Sequence, residues 1–352
     1  MEEKKKTARE IIEGYDGPPV RIMEVCGTHT HEIFRLGIRK LLPEQVELIS
    51  GPGCPVCVTQ VGFIDEAIYL ALERQVTICT FGDLVRVPGT NMSLAGARER
   101  GAKIRIVYSP VDAKEYAKEH PKEQVTFLSV GFETTTPSAC LSVKKAREEG
   151  LTNYSILTAN KTMPQAYEAL KGSADIFLYP GHVNAITGTK LCEELAKEGV
   201  SGVVAGFTAK ELLTALAVAL ARFQEGRPFF VNCYPRVVTE NGSPQAQKLV
   251  EEMMEPCDSE WRGLGVIKGS GMRLQEEWSA FDARKKYKIP SIQGKANPAC
   301  RCGDVLQGKC KPSDCKVFGK VCTPQHPIGA CMVSGEGACS AYYMYGEAEK
   351  MK

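Results

Sequence analysis

Between residues 20 and 228 the chain alternates short β-branched, apolar runs with amphipathic stretches. The runs fall at residues 21–25, 46–49, 76–80 and 104–107, and again at 125–130, 154–157, 176–179 and 203–205. Most are about 20 to 30 residues apart, the spacing of βαβ units, which predicts parallel sheets covered by helices. The intervening stretches carry helical periodicity. Ile64, Ile68 and Leu72 recur at i, i+4 and i+8 beside Ala67 and Ala71, so one face is apolar. The pattern predicts two Rossmann-like parallel-sheet α/β domains, over residues 20–122 and 123–228, dividing near His120-Pro121.

Residues 229–352 have another character. They are rich in Gly, Pro and Cys, and their periodicity is poor apart from one helix near 245–254. Loops and short helices are expected from 297 to 343, too poor in apolar residues for a core of their own, which makes a metal centre the natural staple. This Cys-rich segment is read as a third domain, against which residues 1–19 are expected to pack.

The 352 residues carry 44 basic and 42 acidic side chains, a formal charge of +2. That balance argues against a nucleic-acid footprint, which needs a clear excess of Lys and Arg. The most apolar segment, residues 212–221, falls short of the roughly 20 residues that span a bilayer. The polar run from Met1 to Glu10 lacks the apolar stretch of a secretory signal. The expected setting is the cytoplasm, with no membrane contact.

Cysteine changes the picture. There are 15, seven of them in the last 53 residues: Cys300, Cys302, Cys310, Cys315, Cys322, Cys331 and Cys339. In a reducing compartment such a cluster reads as metal ligation or redox chemistry. From Cys315 onward its spacings of 7, 9 and 8 residues exceed the C-x2-C runs of zinc ribbons and bacterial ferredoxins, and four converging thiolates suit a cubane cluster; a structural zinc site is the alternative. The segment Gly303-Asp304-Val305-Leu306-Gln307-Gly308-Lys309-Cys310 imitates a phosphate-binding loop. It ends in Cys where Ser or Thr should bind magnesium, and no strand precedes it.

Four turn-rich motifs begin at the carboxyl ends of predicted strands, where open parallel sheets bind ligands. They are Cys26-Gly27-Thr28-His29-Thr30-His31, Gly51-Pro52-Gly53-Cys54-Pro55-Val56-Cys57, Gly131-Phe132-Glu133-Thr134-Thr135-Thr136-Pro137 and Pro180-Gly181-His182-Val183. They imply one cleft between two domains. Cys54 and Cys57 form a CxxC, able to close a disulfide or grip a metal, and a helix starting there would lower a thiol pKa. Half of a zinc knuckle is its bland reading. Cys26 with His29 and His31 offers soft and borderline ligands, or a thiol activated by imidazole. A buried Cys beside turn-capping histidines is the plain alternative. Glu133 lies in a loop that could simply cap a helix, and His182 could be a satisfied structural histidine.

Together these motifs, with Cys302-Gly303-Asp304, the Cys315…Cys322 pair, Cys331-Met332-Val333-Ser334 and Glu336-Gly337-Ala338-Cys339, resemble the HypD family of hydrogenase maturation factors. The resemblance spans Cys26 to Tyr343. It implies a scaffold and redox protein that assembles the Fe(CN)2CO unit of [NiFe]-hydrogenase with a small HypC-like chaperone. Cyanide would come from HypE, supplied by HypF, and the unit would pass to the hydrogenase large subunit. It implies that Cys26 anchors the iron, that Cys54 and Cys57 cycle between dithiol and disulfide, and that the tail holds a 4Fe–4S cluster. The ligands expected for that cluster are Cys302, Cys315, Cys322 and Cys339, with Cys331 in reserve. His29, His31, Glu133 and His182 are expected to hydrogen-bond cyanides or relay protons. The competing reading is a protein disulfide reductase like ferredoxin–thioredoxin reductase, which has no need of a third thiol with two histidines. A zinc-stapled adaptor is the non-catalytic alternative.

Overall fold

The computed structural model describes residues 6–346. Eleven strands are present among them: β1 (Val20–Glu24), β2 (Val46–Ser50), β3 (Thr77–Thr80), β4 (Ile104–Ile106), β5 (Val125–Gly131), β6 (Tyr154–Asn160), β7 (Ile176–Pro180), β8 (Ser201–Ala205), β9 (Phe230–Asn232), β10 (Met254–Trp261) and β11 (Gly265–Leu274). They form a five-stranded sheet of order β2-β1-β7-β8-β9, a four-stranded sheet of order β4-β3-β5-β6 and the hairpin β10-β11. Both larger sheets are parallel throughout; the hairpin is antiparallel. The α/β class with two parallel sheets and a loop-rich remainder is as expected.

The allocation of strands differs from the expected division at 122/123. β1 and β2 belong to one sheet, and β3 and β4 to the other. The chain leaves the first sheet after β2, builds the whole second sheet from β3 to β6, and returns for β7 and β8. A βαβ signal is the same whichever sheet a strand joins. Membership is fixed by pairing over long sequence separations, as in β1 with β7, where Ile22 lies opposite Ile176.

β5 and β6 are buried along their full length, as expected for central parallel strands covered on both faces. The helix Ala209–Phe223, with Leu212, Leu216 and Leu220 on its buried face, covers the first sheet. The helix Ala8–Glu13 packs on that same helix, with Ile12 and Tyr15 in the first sheet's core, not on the Cys-rich segment. Residues 1–5 lie outside the described residues.

The hairpin β10-β11 is not legible in the sequence, because Glu255, Asp258 and Glu260 disguise a strand that is buried only at its ends, Met254 and Trp261. It begins directly after the helix Pro244–Met253, and Gly263, at φ +86°, turns the chain. Residues 300–346 are short helices, single 3-10 turns and loops. They have no separate core: Cys302, Cys322, Cys331, Met332 and Cys339 share one apolar cluster with Val25, Cys54, Cys57, Val58 and Trp261. No helix among the described residues is long and apolar enough to cross a membrane.

Candidate functional site

In the first sheet the chain steps to one side from β1 to β2 and to the other from β7 to β8. The gap between β1 and β7 is therefore the point where an open sheet accepts a ligand. Cys26 follows β1 there, and His182 follows β7. Cys26 sits in extended backbone, φ −152°, as the N-cap of the helix Gly27–Arg35. The loops after β1 and β2 interlock: the Gly27 amide donates to the Gly53 carbonyl at 3.0 Å. A Cβ on Gly53 would overlap the Cys26 backbone, and one on Gly27 would lie 3.1 Å from the Cys54 Cβ. Only glycine at both positions lets the two cysteine loops touch.

Cys26 is 1% exposed, and burial pushes its thiol up to about 12, with Glu336 adding to the effect; amide donors from His29 and Thr28 oppose it. Cys54 and Cys57 form a disulfide with their Cα atoms 5.2 Å apart. The Cys57 amide donates to Cys54 Sγ at 3.2 Å. The helix here, Pro55–Val58, is a single turn, so the long helix dipole expected behind the CxxC is not present.

His29 is fully buried and its Nε2 pairs with the Gly206 carbonyl at 3.0 Å, while Nδ1 has no partner among the described residues. Phe207 lies between the two histidine rings, 4.9 Å from His29 and 5.1 Å from His182. Burial, and for His29 the neighbouring His182, depress these imidazoles to about 3 and about 4 respectively, so both are neutral at pH 7. His31 turns away: its Nδ1 meets the Gly335 carbonyl at 2.9 Å, and Tyr345 packs edge-on against its ring.

Glu133, at the carboxyl end of β5 in the second sheet, accepts from the Met163 amide at 2.8 Å through Oε1. Its Oε2 is sealed and unpartnered, and burial raises the carboxyl to about 7. Tyr167, another buried hydroxyl without a partner, lies within electrostatic range of both Glu133 and Cys26. Nothing in the sequence singles out Tyr167 or Phe207, each one aromatic residue among the 7% of the chain that is aromatic. Glu336 was seen only as part of the tail motif; its Oε1 accepts from Thr28 Oγ1 at 2.6 Å, tying the tail to the Cys26 loop.

In the tail, Cys331 is fully buried and within hydrogen-bonding reach of Cys302 and Cys339, contacts that pull its thiol pKa down. Cys300 reaches Cys302 in turn, which raises the Cys300 thiol. Cys322 adjoins them and accepts from the Ile328 amide at 3.4 Å. Gly329 roofs this group, and a Cβ there would lie 2.6 Å from Cys302 Sγ. Of the expected ligands the structure brings together Cys302, Cys322 and Cys339, and it places the reserve, Cys331, in their midst. Cys315 stands outside, its Sγ 3.9 Å from the Ala299 carbonyl, and Cys310 lies near Arg301 and Asp304.

Among the described residues no three His, Cys, Asp or Glu side chains already hold a metal-ligating arrangement. The thiols bond to one another instead, so taking up iron exchanges S–H···S contacts for Fe–S bonds. The donor set, clustered thiols covered by Gly329, is of the kind that an iron–sulfur cluster takes. The disulfide helix Pro55–Val58 packs on the turn Ala330–Met332 that carries Cys331. Arg262 holds the end of the disulfide helix, donating from its backbone to the Val58 carbonyl at 2.8 Å and from Nε to the Thr59 carbonyl at 3.0 Å. The disulfide and the nest of thiols thus share one core, and the buried Cys26 thiol beside neutral histidines adjoins it through the Gly27–Gly53 contact.

The family model described as "HypD: Hydrogenase formation hypA family" matches residues 2–346. The hydrogenase maturation factor HypD of Cupriavidus necator is 42% identical over 347 residues, 95% of this chain and 92% of that protein. That of Rhodobacter capsulatus is 44% identical over 340 residues, 94% and 90% of the two chains. That of Escherichia coli K12 is 43% identical over 339 residues, again 94% and 90%. With a family model covering nearly the whole chain and relatives of this similarity, the chain belongs to the HypD family of hydrogenase maturation factors.

Proposed function

We propose that this maturation factor builds the Fe(CN)2CO unit of [NiFe]-hydrogenase on Cys26, using Cys54 and Cys57 as its two-electron reductant. The supporting observation is the contact of the two loops through Gly27 and Gly53, which sets the iron-binding thiol beside the disulfide. Iron is the cargo, held between Cys26 and a cysteine of a small HypC-like chaperone. Thiolate is a suitable soft anchor for iron carrying cyanide and CO.

Cyanide arrives as a thiocyanate, R–S–C≡N, on a HypE-like donor that HypF charges. Breaking its S–C bond consumes two electrons and leaves thiolate and cyanide. The Cys54–Cys57 dithiol supplies that pair, becomes the disulfide and releases two protons. An external one-electron carrier protein restores it through the tail, with two electrons and two protons for each disulfide.

Cys322, Cys331 and Cys339 are proposed as three ligands of a 4Fe–4S cluster, with Cys302 or Cys315 as the fourth. Bound there, the cluster supplies electrons one at a time. His29 and His182, neutral and walled by Phe207, close the anchor site to water, and His29 Nδ1 offers a hydrogen-bond acceptor. Glu133, protonated below about pH 7, offers a donor from the facing sheet. His31 braces the tail loop. The completed unit passes to the hydrogenase large subunit.

The test is infrared spectroscopy of the anaerobic protein co-purified with its small chaperone. Cyanide and CO stretches are expected where protein does not absorb. A complex with cluster and disulfide but no such bands would favour the disulfide reductase instead.

A further inference from the structure

Arg262 follows the last residue of β10 and holds the end of the disulfide helix. Its backbone amide donates to Val58 at 2.8 Å and its Nε to Thr59 at 3.0 Å, satisfying carbonyls that a helix end leaves open. The next residue, Gly263, packs directly on Gly303 of the tail helix Cys302–Leu306, and the Gln307 side chain donates to the Gly263 carbonyl. Arg262 is thus held on the disulfide segment through its backbone and Nε, while the next residue rests on the tail helix. The segments it adjoins carry thiols: the disulfide helix packs on the turn Ala330–Met332 that bears Cys331, and Gly303, against which Gly263 packs, follows Cys302. Its outer nitrogen, Nη2, is buried and has no hydrogen-bond partner among the described residues. A buried donor left unmade is costly, above all a charged one, so an acceptor belongs there. Tail sulfur atoms, those of Cys300 and Cys331, lie within electrostatic reach of the guanidinium.

We propose that Arg262 is the positioning residue that couples the two redox centres, gripping the disulfide helix through its backbone and Nε while its Nη2 donates to the sulfur of the tail cluster. This rests on the reading above that the tail thiols hold a 4Fe–4S cluster. Hydrogen bonds to cluster sulfur and nearby positive charge both favour the reduced, more negative state. Arg262 thus holds the potential of the cluster up, and ties that effect to the segment carrying Cys57. No bond is made or broken by Arg262 itself.

The test uses the full anaerobic chain with its cluster, and compares wild type with Arg262→Gln and Arg262→Lys. Potentiometric titration follows the cluster by visible absorption, and thiol labelling with mass spectrometry follows Cys54 and Cys57. In Arg262→Gln the cluster's one-electron equilibrium should shift about tenfold toward the oxidised form, a fall of roughly 59 mV. Arg262→Lys keeps the charge but loses the fork, and should fall between. A purely structural arginine would lower stability and leave the potential where it was. Wild-type potentials in both variants, at full iron content, overturn the inference. Should Arg262→Gln fail to fold, an unmoved potential in Arg262→Lys overturns it as well. A wild type that takes up no iron overturns the reading of the tail and this inference with it; a loaded wild type with unmoved variants overturns this inference alone.

Discussion

Gly27 and Gly53 stand face to face, amide to carbonyl at 3.0 Å, and through them the loop of Cys26 rests on the loop of Cys54. A side chain on Gly53 would meet backbone, not the movable end of a side chain, so no rotamer change relieves it. Gly53→Ala should destabilise the fold by about 1–3 kcal/mol or more. It should also part the two cysteine loops. Urea denaturation measures the first, and alkylation of Cys26, faster once its cover is disturbed, measures the second. An alanine variant with wild-type stability and a protected Cys26 would show that the contact is not needed.

Cys26→Ala should abolish the cyanide and CO bands of the chaperone complex and leave the visible spectrum of the tail unchanged, because the tail uses other thiols. The thiol is buried, so a stability loss of roughly 1–2 kcal/mol accompanies the substitution. Cys54→Ala should differ, with iron still bound but short of its diatomic ligands. Normal bands in Cys26→Ala would move the anchor role to the CxxC pair.

The tail gives a ranking by substitution. Cys331→Ser and Cys339→Ser should each remove the brown colour and most of the roughly four irons per chain. Cys310→Ser should leave both intact. Cys302→Ser and Cys315→Ser are the decisive pair: iron content falls in the one that supplies the fourth thiolate. Stoichiometric zinc with no visible absorption in anaerobic wild type would replace the cluster by a structural metal.

Two opposite pH effects are built into the site. His29 and His182 titrate near 3 and 4 when folded, below the ordinary 6.5. The unfolded chain therefore binds protons first as pH falls, and stability drops from about pH 6.5 downward, by up to roughly 1.4 kcal/mol per pH unit for each imidazole. Replacing both with Gln should flatten that fall in urea titrations between pH 6.5 and 4.5. Glu133 has the reverse sign. Its carboxyl is raised from 4.5 to about 7, so it detracts from stability as pH rises through that window. Glu133→Gln should be more stable than wild type at pH 8, by about 3 kcal/mol, and nearly equal to it near pH 4.5. A variant less stable at both pH values would mean that Glu133 is held as a paired carboxylate.

The sequence by itself determined the local elements and the chemistry. Alternating apolar runs at βαβ spacing marked eight of the eleven strands, and parallel pairing followed from their crossover lengths. Cys26, Cys54, Cys57 and the tail thiols were legible because Cys, His and Gly at strand ends have few other uses. Tertiary structure decided which strand joins which sheet, since a strand's pattern records only that it is buried, not beside whom. It placed Cys331 among the tail thiols and Cys315 outside them, because convergence of thiols depends on how loops without periodicity dock onto a core. It brought Phe207, Tyr167 and Arg262 to the site, residues whose roles come from neighbours distant along the chain. The hairpin β10-β11 was hidden for the same reason: its charged positions face solvent, and only the packing of Trp261 onto Phe132 and of Arg262 beside the disulfide helix explains why the chain folds there.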